Sequence, residues 1–233
     1  MTGRRPGLRA YAASLLVALL IAGPAEAQAP DNTQLRVDDI VRAAQAQGTP
    51  DIPGLKVVWL SPLGDPAKAN AWRYILAHQT EGPAGSARGG ATEQAKNPTR
   101  RGVTIWVETD GTVYWATPET AVPTHGDGAN RRDNKYIDNS ATFGKVVKEH
   151  TIGVEFAGNF PDVARPATDE QIKAWLILVR FLQERYGIPS ANIYAHNWID
   201  YKDARYCEGC DLATRARALD YRPRNNRSAI DVR

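Results

Sequence analysis

Between Thr151 and His196 the chain reads as strand, helix, strand in immediate succession, and that order confines it to the α/β class. Thr151-Ile152-Gly153-Val154-Glu155-Phe156-Ala157 alternates cleanly. Ile152, Val154 and Phe156 face one side, and Gly153, Glu155 and Ala157 face the other. Thr168-Asp169-Glu170-Gln171 is a capping box, in which a threonine hydroxyl and a glutamine side chain satisfy each other's backbone amides. It opens a helix whose predicted apolar face is Ile172, Trp175, Leu176, Val179, Leu182 and Tyr186, and Gly187 and Pro189 stop it. Asn192-Ile193-Tyr194-Ala195-His196 follows as a strand ending on a histidine. Such a βαβ unit predicts that the Glu155 and His196 strands are parallel neighbours.

Upstream, Tyr74-Ile75-Leu76-Ala77-His78 is a second apolar strand that ends on a histidine. Lys56 to Leu60 is a short candidate strand. Val103 to Thr109 and Thr112 to Ala116 flank Asp110-Gly111, a strong hairpin signal. Residues 82–101 carry Gly82, Pro83, Gly85, Gly89 and Gly90 with few apolar residues and read as a long loop, as does the polar stretch 126–149. Near the start, Val37, Ile40, Val41 and Ala44 have helical spacing, so a short helix is expected over Val37 to Ala46.

The first residues have the pattern of an export signal. Arg4, Arg5 and Arg9 precede an apolar run from Ala12 to Ala22, and Ala25-Glu26-Ala27 offers a cleavage site ahead of Gln28. A periplasmic or secreted protein without a stable membrane anchor is the expectation. Removing that segment takes away three arginines and one glutamate, so a formal net charge of +3 falls to about +1. Nothing then calls for nucleic acid or an anionic membrane as partner. About 206 residues remain, enough for one α/β domain with a single core.

Four histidines and two cysteines are present. His78 and His196 stand at equivalent strand ends, and Cys207 follows His196 by eleven residues. Two imidazoles and a thiolate can hold Zn²⁺ with one position left open for catalysis. Hydrogen-bonded structural histidines are the plain alternative. For Cys207-Glu208-Gly209-Cys210 in an exported chain, the alternatives are a small disulfide or a redox-active pair. Glu155 sits mid-strand between small residues on its own face, and a buried carboxylate needs a partner or a task. It suits a general base acting on water, or a salt bridge to an arginine.

Taken in order, these pieces resemble the zinc-dependent N-acetylmuramoyl-L-alanine amidases, whose fold is shared by the peptidoglycan recognition proteins. The similar segments are ILAHQT at His78, VETDGTVYW, VPTHGDG at His125, TIGVEFAGN at Glu155, the TDEQ-initiated helix, IYAH at His196, and CEGCDL. They extend over roughly Trp72 to Leu219. The resemblance implies a single domain with a mixed central sheet flanked by helices and a zinc site at one sheet edge. It implies His78, His196 and Cys207 as Zn²⁺ ligands, Glu155 as catalytic base, Arg205 as oxyanion stabiliser, and His125 as a substrate-groove residue. Cys210 or Asp203 is the reserve ligand. The family's hairpin tyrosine is replaced by Val103, its frequent lysine by Arg205, and its usual proline by Glu208.

The expected organisation is therefore a signal at 1–27, an extension at 28–70, an amidase domain at 71–221 and a tail at 222–233. The expected activity is hydrolysis of the amide between N-acetylmuramic acid and L-alanine in peptidoglycan or muropeptides, by a monomer. A peptidoglycan-binding module without turnover is the alternative.

Overall fold

The computed structural model describes residues 46, 49–126, 138–200 and 205–223. The signal segment, nearly all of the helix expected over Val37 to Ala46, residues 127–137 and Asp203 lie outside the described residues.

Among the described residues six strands make one mixed sheet: β1 (Val57–Trp59), β2 (Tyr74–Gln79), β3 (Ile105–Val107), β4 (Val113–Trp115), β5 (Thr151–Phe156) and β6 (Ile193–Ala195). Their spatial order is β1-β4-β3-β5-β2-β6, and only the β3–β4 hairpin pair is antiparallel. The hairpin forms at Asp110-Gly111 as the sequence predicts. Asp110 Oδ1 accepts from Thr112 N at 2.8 Å, and Gly111 takes a φ of 79° that a side chain would resist. One expectation is corrected here. The Glu155 and His196 strands are parallel but not neighbours, because β2 lies between them and pairs with both.

Among the described residues four α-helices accompany the sheet: α1 (Ser86–Lys96), α2 (Asp169–Tyr186), α3 (His196–Ile199) and α4 (Cys210–Arg217). Helix α1 replaces the loop expected over 82–101. Its buried residues are Ala87, Ala91, Thr92 and Gln94, too small or polar to register as an apolar stripe. Gly90 permits the docking, since a Cβ there would run into the Trp106 ring.

The alternation of β2, β3 and β5 gives the sheet two different faces. Ile75, Ala77, Ile105, Val107, Ile152, Val154 and Phe156 join the main core with Trp175, Leu178, Val179 and Leu182 of α2 and with Leu212, Ala213 and Ala216 of α4. The buried stripe of α2 thus includes Ala174 and Leu178, whereas Ile172, Leu176 and Tyr186 are only partly covered. The capping box on Thr168 and Gln171 is present. Gln171 Nε2 also donates to the carbonyls of Val107 and Ala157, so the helix start is tied to the ends of β3 and β5. On the opposite face, α1 packs over Trp106 and Tyr114, while Val146 and Ile199 pack on Leu76. His78 and Glu155 emerge on that second face.

Candidate metal and catalytic site

His78 is the fifth residue of β2, and its register partner on β5 is Glu155. Register partners on adjacent parallel strands project to the same face about 4.8 Å apart, so the imidazole and the carboxylate are side by side. His196 begins α3 just beyond the carboxyl end of β6, on the other side of β2. Open α/β sheets place their sites at such strand ends.

The third donor comes from the segment before α4. Gly209, the N-cap of α4, has a φ of 77°, and its amide donates to Gln79 Oε1 at 3.0 Å. A side chain at Gly209 would strike the Ala77 carbonyl. That docking brings Glu208 against the end of β2, where its Oε1 accepts from Gln79 N at 3.2 Å. Glu208 is 1% exposed. Its carboxylate lies 3.0 Å from His196 Nδ1 and 3.5 Å from His78 Nδ1, and the two Nδ1 atoms are 3.2 Å apart. Burial opposes charge on this carboxyl, but the adjoining His196 and His78 imidazoles prevail and hold it far below the usual carboxylate range.

These separations test whether the residues suit a metal. Zn²⁺ bound tetrahedrally at roughly 2.0–2.1 Å keeps its donors about 3.3 Å apart. The two Nδ1 atoms are close to that spacing, and the two Glu208 oxygens lie within reach of them, Oε2 against His196 and Oε1 against His78; among the described residues only His78, His196 and Glu208 form such a group. Two neutral imidazoles and one carboxylate are an ordinary zinc donor set.

Behind His78 runs a chain of hydrogen bonds that fixes its tautomer. His125 Nε2 lies 3.2 Å from the Thr151 carbonyl, which can only accept, so Nε2 carries the proton. His125 Nδ1 then accepts from His78 Nε2 at 3.2 Å, leaving the lone pair of His78 on Nδ1, the atom turned toward His196 and Glu208. Burial, reinforced by the neighbouring His78, lowers the His125 pKa to about 3 and keeps its ring neutral. Gly153 makes the room, since a Cβ there would lie 2.9 Å from the His125 ring. His196 has its own outer partner in Asp200, whose Oδ2 is 3.9 Å from Nε2. Such supports orient metal-binding imidazoles.

The structure places His78 beside Glu155 and close to His196, and it sets three other expected site residues in different surroundings. Cys207 is bonded to Cys210 and offers no thiolate; the group that could hold a metal has its neighbour Glu208 instead. His125, expected in the substrate groove, is 8% exposed and turned toward His78. The Arg205 side chain is 62% exposed and pairs with Glu81 at 3.8 Å. Sequence reasoning passed over Asp200 and Thr151. The spacing of Asp200 four residues after His196, one helical turn, was the available signal for the first.

Comparison with known proteins gives a family for this chain. The sequence profile of the family described as N-acetylmuramoyl-L-alanine amidase matches residues 68–210. Among solved structures, the N-acetylmuramoyl-L-alanine amidase LysC from Clostridium intestinale is 18% identical, with 70% of this chain and 95% of that chain covered and a TM-score of 0.45. The Clostridium intestinale endolysin amidase LysCS is 19% identical over 65% and 86% of the two chains, at a TM-score of 0.43. A mutant endolysin from Bacillus subtilis is 18% identical over 73% and 91%, also at 0.43. No curated protein matches the chain.

Proposed function

The chain belongs to the N-acetylmuramoyl-L-alanine amidase family, and from that premise we propose that it is a zinc-dependent hydrolase of the amide joining N-acetylmuramic acid to L-alanine in peptidoglycan or muropeptides. The observation that carries the proposal is the convergence of His78 Nδ1, His196 Nδ1 and the Glu208 carboxylate beside Glu155. When bound there, Zn²⁺ supplies Lewis acidity, activating water and polarising a carbonyl.

The chain's own residues do the rest. Glu155 takes a proton from the attacking water as its oxygen bonds to the carbonyl carbon. It returns that proton to the alanine nitrogen as the carbon–nitrogen bond breaks, so a lactyl carboxylate and a free amine leave. The hydrogen-bond chain from Thr151 through His125 holds His78 in its donor tautomer. Arg205, exposed and paired with Glu81, stands at the surface and is kept out of the proton-transfer steps.

Export to the periplasm or beyond accords with this substrate, which lies outside the cytoplasm, and with the disulfide, which persists in oxidising compartments. Among the described residues no helix is long and apolar enough to cross a membrane.

The test is digestion of purified peptidoglycan followed by mass analysis. Release of stem peptides with a free alanine amine, abolished by chelation and restored by Zn²⁺, is the expected result. Glu155→Gln should lower turnover by about 10²–10⁴-fold, the usual contribution of a positioned acid–base group, with Zn²⁺ affinity retained. Peptidoglycan that is bound but never cleaved by the zinc-loaded protein would instead establish the binding-module alternative.

A further inference from the structure

The Cys207–Cys210 disulfide flanks Glu208 on both sides, and the hydrolytic mechanism makes no use of it. Cys210 is the first residue of α4, while Cys207 lies in the segment before it. The bridge therefore ties the segment that carries Glu208 back onto the first turn of the helix. Cys210 N donates to the Cys207 carbonyl at 3.2 Å within the same small ring. On its outer side, Cys207 Sγ accepts from Asn197 Nδ2 at 3.5 Å, and Asn197 N donates to the Glu208 carbonyl at 3.3 Å. Asn197 is the residue after His196. The bridge is thus joined to the segments of two of the three donors.

The geometry points to the disulfide as the positioning element for the third metal donor. It holds Glu208 against the end of β2 and keeps both sulfurs out of the coordination sphere, so that the donor set is two imidazoles and a carboxylate. This rests on the donor set named under the proposed function. A backbone segment as short as 207–209 has few other ways to hold a glutamate at 1% exposure within reach of two imidazoles. The Gln79 contacts fix its far end at Gly209, and the bridge fixes its near end at Cys207. Zn²⁺ affinity consequently depends on the redox state of the pair. A dithiol reductant that attacks the sulfur–sulfur bond leaves two cysteine thiols and is itself oxidised to its cyclic disulfide, a two-electron exchange.

The experiment measures Zn²⁺ affinity by competition with a chromophoric chelator. It compares the oxidised protein, the dithiol-reduced protein and Cys207→Ser/Cys210→Ser, with Co²⁺ absorption spectra taken on each. The oxidised protein is expected to bind most tightly, and its Co²⁺ complex to lack a thiolate charge-transfer band. The double variant is expected to bind about 10–100-fold more weakly, the range typical of lost outer-sphere support, with the far-ultraviolet dichroism of the metal-free protein unchanged. If that variant does not fold, the reduced parent gives the affinity comparison, with the same weakening expected. Unchanged affinity in the double variant or in the reduced parent overturns the positioning role. A thiolate charge-transfer band in the oxidised protein overturns the exclusion of sulfur. Glu208→Gln in the oxidised protein distinguishes the premise: parental Zn²⁺ affinity there removes the donor set, and the inference with it.

Discussion

Gly153→Ala perturbs the site through a single methyl group on the second face of the sheet. In the native strand an ideal Cβ at this position would lie 2.7 Å from Val103 Cγ1 and 2.9 Å from Cε1 and Nδ1 of His125. Val103 is fully buried and cannot swing away, so His125 has to yield, and its Nδ1 is the atom that accepts from His78. Overpacking of this kind costs about 1–3 kcal/mol. A less flexible unfolded chain offsets about 0.4–1 kcal/mol of it. The net loss of order 1–2 kcal/mol should lower the melting temperature of the metal-free protein by about 2–8 °C. Loss of the His125 contact should also weaken Zn²⁺ binding about 10–100-fold, measured by chelator competition. The two effects share one cause, so in a His125→Ala background Gly153→Ala should lower Zn²⁺ affinity little further. A lowered melting temperature with parental Zn²⁺ affinity would refute the role given to His125. Additive losses in the double variant would refute the route through it.

Thr168→Ala removes an oxygen that accepts from Gln171 N at 3.1 Å and donates to the Thr109 carbonyl at 2.7 Å. The loss should be about 1–2.5 kcal/mol by thermal or urea unfolding, with Thr168→Ser close to the parent. At Glu119, burial raises the carboxyl pKa, but hydrogen bonds from Arg185 and Tyr186 outweigh it and set it below the ordinary value of 4.5. A depressed carboxyl contributes stability above its unfolded pKa and loses it as pH falls through the folded one. The melting temperature of the parent should therefore fall more steeply below about pH 4.5 than that of Glu119→Gln, and parallel curves would remove Glu119 from the acid response. Zn²⁺ at 100 times its dissociation constant should add about 2.7 kcal/mol of stability, and a melting temperature indifferent to both chelation and Zn²⁺ would contradict a metal at this site.

Much of the sheet was legible because its signals are local. The alternation in β5, the Asp-Gly turn and the capping box each depend on residues within a few positions of one another, and each appears in the structure. Strand order is a different kind of fact. The connection through α2 is long enough to pass over an intervening strand, and nothing between Thr151 and His196 records that β2 occupies the gap. Helix α1 escaped notice for a related reason. Its buried surface is alanine, threonine and glutamine, and the large apolar partners, Trp106 and Tyr114, are contributed by the hairpin it covers.

The site divides along the same line. His78 and Glu155 are fixed by strand periodicity, so their pairing across β2 and β5 needed only the right register. The third donor depends on how residues 207–209 dock, and that is decided by contacts distant in sequence. The Gly209 amide meets Gln79 Oε1, the Ala77 carbonyl leaves space only for glycine, and the Gln79 amide draws in the Glu208 carboxylate. The sequence favours Cys207 because Cys-x-Gly-x-x-Leu lines up with the corresponding segment of the family it resembles. Once the two cysteines bond to each other, the neighbouring carboxylate is left against two imidazoles with no bulk water to solvate it. A carboxylate so buried is tolerable only with positive charge beside it. Protonated imidazoles can supply that charge, and so can a divalent cation. A divalent cation would satisfy Glu208 and both imidazoles at once, and the proposed function rests on that reading.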